Sequence, residues 1–157
     1  MIVEYVKEYD EDIKDLFVEL QKAISDIDKE RYIVVTEEYR EEYFKEVMKL
    51  IKDKNGKILL YIENQKAIGV IVGIVNNEKE STFDFKAPKR GRITELVVSK
   101  ESRGKGIGKK LLKEMSDYLK SIGCEKILIE VFGYNERAIK FYKNNGYHIR
   151  MIDMIED

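Results

Sequence analysis

Between Ile2 and Val6 apolar positions alternate with charge, which predicts a first strand. Ile13, Leu16, Phe17, Leu20 and Ile24 then recur at helical spacing, so residues 10–25 read as an amphipathic helix. Thr36, followed by Glu37 and Glu38, reads as the start of a second helix. Tyr39, Tyr43, Val47, Leu50 and Ile51 carry it to a stop at Asn55-Gly56. The runs KILLYIE and AIGVIVGIV predict two strands, and the intervening Asn64-Gln65 makes them a hairpin. Residues 76–91 are polar, with Pro88 and Gly91, and read as a loop. RITELVVS is a further strand.

The period changes again at the glycines near residue 104. Ile107, Leu111, Leu112, Met115, Leu119 and Ile122 line one helix face that ends at Gly123. KILIEVF predicts a strand. Asn135 can cap a short helix carrying Ala138, Ile139, Phe141 and Tyr142, stopped by Asn145-Gly146. A last strand is expected from Tyr147 to about Ile155. The order β-α-α-β-β-β-α-β-α-β predicts an α/β fold, a mixed sheet with helices on its faces. No repeat or linker divides the 157 residues, so one domain over 1–157 is expected, long enough to bury a core.

The lone Cys124 rules out an intrachain disulfide and a cysteine-built zinc site, and the lone His148 removes most histidine metal clusters and most Ser-His-Asp schemes. No metal is expected. No segment has the ~18 apolar residues of a membrane span, and the N-terminus lacks the order of a secretory signal. A cytoplasmic setting without a membrane partner is the default expectation. Charge is uneven although the net is −1. Residues 1–50 hold 8 Lys and Arg against 15 Asp and Glu, whereas residues 86–150 hold 16 against 7. The second half is suited to facing an anion. Its lysines gather at one turn without base-stacking aromatics, so no nucleic-acid partner is expected.

That turn carries the strongest chemical signal. A strand runs into Arg103-Gly104-Lys105-Gly106-Ile107-Gly108 and directly on into a helix. Glycines permit close backbone approach, and a helix N-terminus offers unpaired N–H donors, so the segment suits a pyrophosphate. Arg103, Lys105, Lys109 and Lys110 add formal charge around it. A phosphate-binding P-loop does not fit, because Arg103 stands where its first glycine belongs and Lys110 where it needs a hydroxyl. The dinucleotide fingerprint G-x-G-x-x-G does not fit the G-x-G-x-G spacing. The pattern [RQ]-x-x-G-x-[GA] fits Arg103, Gly106 and Gly108 without adjustment.

With that motif the chain resembles the GNAT superfamily of acetyl-CoA-dependent N-acyltransferases. ITELVVSKESRGKGIGKKLL resembles the acyl-CoA motif, and ILIEVFGYNERAIKFYKNNGY the motif that follows it. Lys100 departs from the proline common there. The resemblance implies a mostly antiparallel mixed sheet whose central strands splay at a bulge, with acetyl-CoA in the cleft. It places backbone groups of Leu96, Val97 and Val98 against the pantetheine and acetyl carbonyl. The amides of Arg103, Gly104, Lys105, Gly106, Ile107, Gly108 and Lys109 wrap the pyrophosphate. Asn135 contacts the cofactor arm, besides any role as a cap. Tyr142, two helical turns later, lies near the sulfur as general acid. Two glutamates compete as base: Glu130, as in members acting on peptide N-termini, and Glu95, on the strand before the glycine turn.

The implied activity is direct acetyl transfer in a ternary complex to a primary amine: a small amine, a polyamine or a peptide N-terminus. A catalytically silent CoA-binding module is the alternative. Acids on the first two helices, among them Asp26, Asp28, Glu30, Glu37, Glu38, Glu41 and Glu42, would attract a cationic acceptor or simply face solvent, and Tyr32, Tyr39, Phe83 and Phe85 offer apolar walls. Homodimers are frequent in the family, but no residue here establishes one.

Overall fold

A computed structural model describes residues 1–76 and 81–156. Part of the 76–91 loop, residues 77–80, therefore lies outside the described residues. The elements are β1 (Ile2–Glu4), α1 (Asp10–Ile27), α2 (Tyr39–Asp53), β2 (Lys57–Glu63), β3 (Lys66–Val75), β4 (Arg90–Val98), α3 (Ile107–Ser121), β5 (Lys126–Ile129) and α4 (Glu136–Asn144), with single 3-10 turns at Lys7–Tyr9 and Lys100–Ser102. The strands form one sheet in chain order, antiparallel except for the parallel β4–β5 pair.

The β2–β3 hairpin turns on Asn64 and Gln65, both in left-handed conformations with φ of 50° and 60°, as a two-residue connection demands. β3 is buried along nearly its whole length because helices cover both of its faces. Val70 and Val72 point to a core built with Ile13, Phe17 and Val47 of α1 and α2. Ile71 and Val75 point to a second core under α3, with Leu111, Met115 and Leu119. α3 lies so close to the sheet that a Cβ on Gly73 would fall 2.5 Å from the Met115 sulfur.

Three expectations from sequence are corrected. The second helix begins at Tyr39, because the Tyr39 amide donates to the Thr36 carbonyl (3.3 Å) in a turn and Thr36 caps nothing. KILIEVF is a strand only to Ile129, since β4 and β5 part company there. The strand expected from Tyr147 to Ile155 is absent. The Tyr147 amide closes α4 on the Tyr142 carbonyl (3.0 Å), and the chain beyond pairs with no strand, leaving Ile149, Met151, Ile152, Met154 and Ile155 exposed. An alternating pattern gives a segment the capacity to form a strand; the ladder that makes it one is a tertiary property.

Two irregularities in β4 position the site. Val72 of β3 faces Glu95, but its neighbour Gly73 faces Ile93, so Thr94 is an extra residue, a β-bulge. A strand normally keeps residues 91, 93, 95 and 97 on one face. Here Gly91 and Ile93 abut Leu119 and the α3 core, while Val97 sits in the α1/α2 core and Glu95 reaches Tyr43 of α2. The bulge has moved Glu95 to the opposite side of the sheet. In addition, β4 pairs with β5 only from Arg90–Lys126 to Ile93–Ile129. β4 runs on for five more residues, so the edge of Thr94–Val98 turned away from β3 has no ladder partner. This is the splay that the resemblance implied.

Candidate active site

The glycine turn follows that open edge directly. Gly104 and Gly106 take φ of 80° and 75°, left-handed values that a side chain resists. Gly106 is the N-cap of α3 and provides no side-chain cap. The first intrahelical bond runs from the Lys110 amide to the Gly106 carbonyl (3.2 Å). Among the described residues the amides from Gly104 to Lys109 are left without acceptors, and a Cβ on Gly104 or Gly106 would meet nothing within 4 Å. Donors that converge on open space at a helix N-terminus fit a diphosphate.

Of the cations in this segment, Arg103 is occupied. Its guanidinium donates to the Val98 carbonyl (3.0 Å) and pairs with Glu19 of α1 (2.9 Å). The same Glu19 oxygen accepts the Lys100 amide at 2.8 Å. Arg103 thus braces the turn between the end of β4 and α1. Lys105, 3.9 Å from Glu63, remains at the turn with Lys109 and Lys110. Of the backbone predicted to meet pantetheine, the Val98 carbonyl is already engaged by Arg103, the Leu96 N–H and carbonyl face the open edge, and those of Val97 face β3. Glu19 had no signal in sequence, being one acid among many on an amphipathic helix.

α4 closes the other wall. A Cβ on Gly108 would lie 3.5 Å from the Phe141 ring, which brings α4 against the start of α3. Asn135 caps α4, its Oδ1 accepting the Ala138 amide at 3.0 Å. That bond uses the oxygen and leaves the amide nitrogen available. Replacing Asn135 by Ala should therefore cost about 1 kcal/mol, read as a loss of about 2–4 °C in thermal melting. An unchanged melting temperature would deny the cap any weight. Tyr142 lies on α4 with Phe141 and Tyr147 edge-on to it at 5.1 and 5.6 Å. Burial, then the nearby Tyr147 and Glu95, push its phenol well above the ordinary tyrosine value, so it stays protonated. Its hydroxyl has no hydrogen-bond partner among the described residues.

The two candidate glutamates differ sharply. Glu130 stands just beyond β5, its side chain 84% exposed and paired with Arg92. Glu95 is 9% exposed and reached by the Tyr43 hydroxyl. Burial pushes its carboxyl up to about 7, against the opposing effect of the Tyr43 hydrogen bond. A carboxyl poised there can take up a proton near neutral pH. Tyr43 was read only as one position of the apolar helix stripe, and nothing in the sequence singled it out.

On the acceptor side, many of the acids are already engaged. Asp28 accepts the Glu30 and Ile33 amides and folds the α1–α2 loop on itself. Glu30 accepts from the Tyr134 hydroxyl, Glu41 pairs with Lys14 and Arg40, and Glu42 pairs with Lys45. Tyr32 and Phe83 are exposed and line no wall, while Tyr39 stacks on Tyr43. His148 lies in the irregular tail, and Cys124 is buried with its thiol pushed up by burial, which suits packing and not acyl transfer.

An open strand edge running into an amide-lined turn, beside a buried carboxyl, is an arrangement for acyl transfer from a thioester carrying a diphosphate. The chain belongs to the acetyltransferase (GNAT) family, which matches over residues 21–147. It is an N-acetyltransferase, and the family's acyl donor is acetyl-CoA. It is 28% identical over 126 residues to N-alpha-acetyltransferase 30 of Schizosaccharomyces pombe, covering 69% of this chain and 80% of that one. It is 26% identical over 122 residues to the glucosamine 6-phosphate N-acetyltransferase of Arabidopsis thaliana, covering 78% and 80%. The crystallised BH1408 protein of Bacillus halodurans, a tetramutant, superposes with a TM-score of 0.85 over 100% of this chain and 99% of its own, at 21% identity. That likeness shows the fold. No helix among the described residues is long and apolar enough to cross a membrane.

Proposed function

We propose that the protein moves the acetyl group of acetyl-CoA to a primary amine by direct attack in a ternary complex, with Glu95 as base and Tyr142 as general acid. The observation that carries this reading is the bulge at Thr94, which delivers a buried carboxyl to the margin of the open β4 edge. The diphosphate lies on the Gly104–Lys109 amides, and Asn135 steadies the cofactor arm. The backbone N–H of Leu96, on the open edge, polarises the thioester carbonyl. The amine nitrogen attacks that carbon and its proton passes to Glu95. As the tetrahedral intermediate collapses, the C–S bond breaks and Tyr142 protonates the departing thiolate. Holding both reactants in one cleft removes much of the entropic cost of their encounter. The internal pairing of the α1–α2 acids favours a small amine or a peptide α-amine over a polyamine.

Tyr142→Phe tests the assignment of the acid. The ring packing is retained, so acetyl-CoA affinity should hold while kcat falls about 100-fold. Turnover is followed by free-thiol release with a short peptide bearing a free N-terminus and with glucosamine 6-phosphate, acceptor types named for the relatives. Wild-type turnover in this variant would remove Tyr142 from the mechanism.

A further inference from the structure

We propose that Tyr43 is a positioning residue that fixes the Glu95 carboxyl for proton transfer, with the Tyr39 ring bracing it; this rests on Glu95 being the base. Tyr43 lies on α2, and its hydroxyl donates to Glu95 Oε1 across 52 residues of sequence. Its ring is held on two sides. Tyr39, one turn earlier on the same helix, stacks at 4.9 Å with planes 13° apart, and Phe17 of α1 meets it edge-on at 5.5 Å and 77°. The phenol therefore has little freedom of its own, and what it grips inherits that order. With Oε1 taken, Oε2 is the oxygen that meets the incoming amine.

The electrostatics agree with this geometry. Burial, followed by the charge and hydrogen bond of Glu95, holds the Tyr43 phenol far above its ordinary value, so it donates at any working pH. The titratable groups that feel Glu95 are Tyr39 and Tyr43 from α2 and Tyr142 from α4, while Glu46 bears on the two α2 tyrosines. Only the Tyr43 bond opposes the effect of burial on Glu95. Losing it leaves the carboxyl both less ordered and harder to ionise.

The test uses the full chain with Tyr43→Phe and Glu95→Gln. Each is assayed by thiol release with the better of the two acceptors above, and the Glu95 carboxyl is followed by carbon-13 NMR. Tyr43→Phe keeps the ring, so acetyl-CoA affinity by calorimetry stays at the wild-type value, which also confirms folding. Its kcat falls about tenfold. The Glu95 titration and the acidic limb of the kcat/KM profile both move to higher pH. A Tyr43→Phe profile and titration that overlie wild type, while Glu95→Gln is inactive, overturn the positioning role alone. A fully active Glu95→Gln overturns the base assignment and the positioning role with it.

Discussion

Glu95→Gln should yield a protein that binds acetyl-CoA normally, turns over at least about 100-fold more slowly, and at pH 8 melts at a higher temperature than wild type. Both effects come from one buried carboxyl. Its folded value of about 7 exceeds the ordinary value of 4.5 because burial favours the neutral form. A group raised on folding contributes stability that is complete below the unfolded value and is lost as pH rises through the folded one. Wild-type stability should thus decline between about pH 4.5 and 7, and above that the buried charge costs about 3 kcal/mol. Gln is uncharged, retains the acceptor for the Tyr43 hydroxyl, and removes the decline. Glu11, Asp28 and Glu41 are all held below their ordinary values by their partners, so their contributions are lost only in more acidic solution and leave this window clear. Thermal melts at pH 5 and pH 8 measure the effect: the gap between the two should be wide in wild type and narrow in the variant. Equal gaps would mean that Glu95 is not held as a strained acid, and undiminished turnover would exclude it as the base. Loss of stability in exchange for a reactive group is a common bargain at active sites.

Gly106→Val should weaken CoA binding by about 100-fold or more while lowering the melting temperature by only a few degrees. The residue holds φ of 75° at the N-cap of α3, where a β-branched side chain costs about 1–2 kcal/mol. The protein itself has room for the new atoms, since nothing lies within 4 Å of a Cβ there. The penalty therefore falls on what the turn is shaped to receive: the amides from Gly104 to Lys109 lose their convergence, and the isopropyl group enters the space of the diphosphate. Calorimetric titration of CoA into folded variant and wild type decides the matter. Equal affinities would show that the cofactor is held elsewhere and would undo the site built on this turn.

How readily each part could be read from sequence follows from how local its cause is. The glycine turn was plain because strand, glycines, cations and helix start lie within about fifteen consecutive residues, and φ values of 75–80° at Gly104 and Gly106 are what such a run is for. The Asn135 cap was legible for the same reason, as was the place of Tyr142 two turns later on the same short helix, while the role given to Tyr142 came from the resemblance. Arg103 was recognised as part of the motif, but its pairing with Glu19 was not legible, because that partner comes from a helix 84 residues away.

The amino-acid sequence by itself determined the order of the helices and the first five strands, consequences of short-range periodicity and backbone preference, and its two motifs carried the resemblance to the family and pointed to the glycine turn as an anion site. Only the tertiary structure separated the two glutamates, burying Glu95 and exposing Glu130. That separation turns on one extra residue at Thr94, which rotates Glu95 onto the α2 side, and on the end of β5 pairing at Ile129, which leaves Glu130 in solvent beside Arg92. Tertiary structure alone also joined Tyr43 to Glu95 and withheld a partner from the segment after Tyr147. Bulges, ladders and buried hydrogen bonds each depend on which distant strand or helix arrives opposite, and no local pattern encodes that arrival.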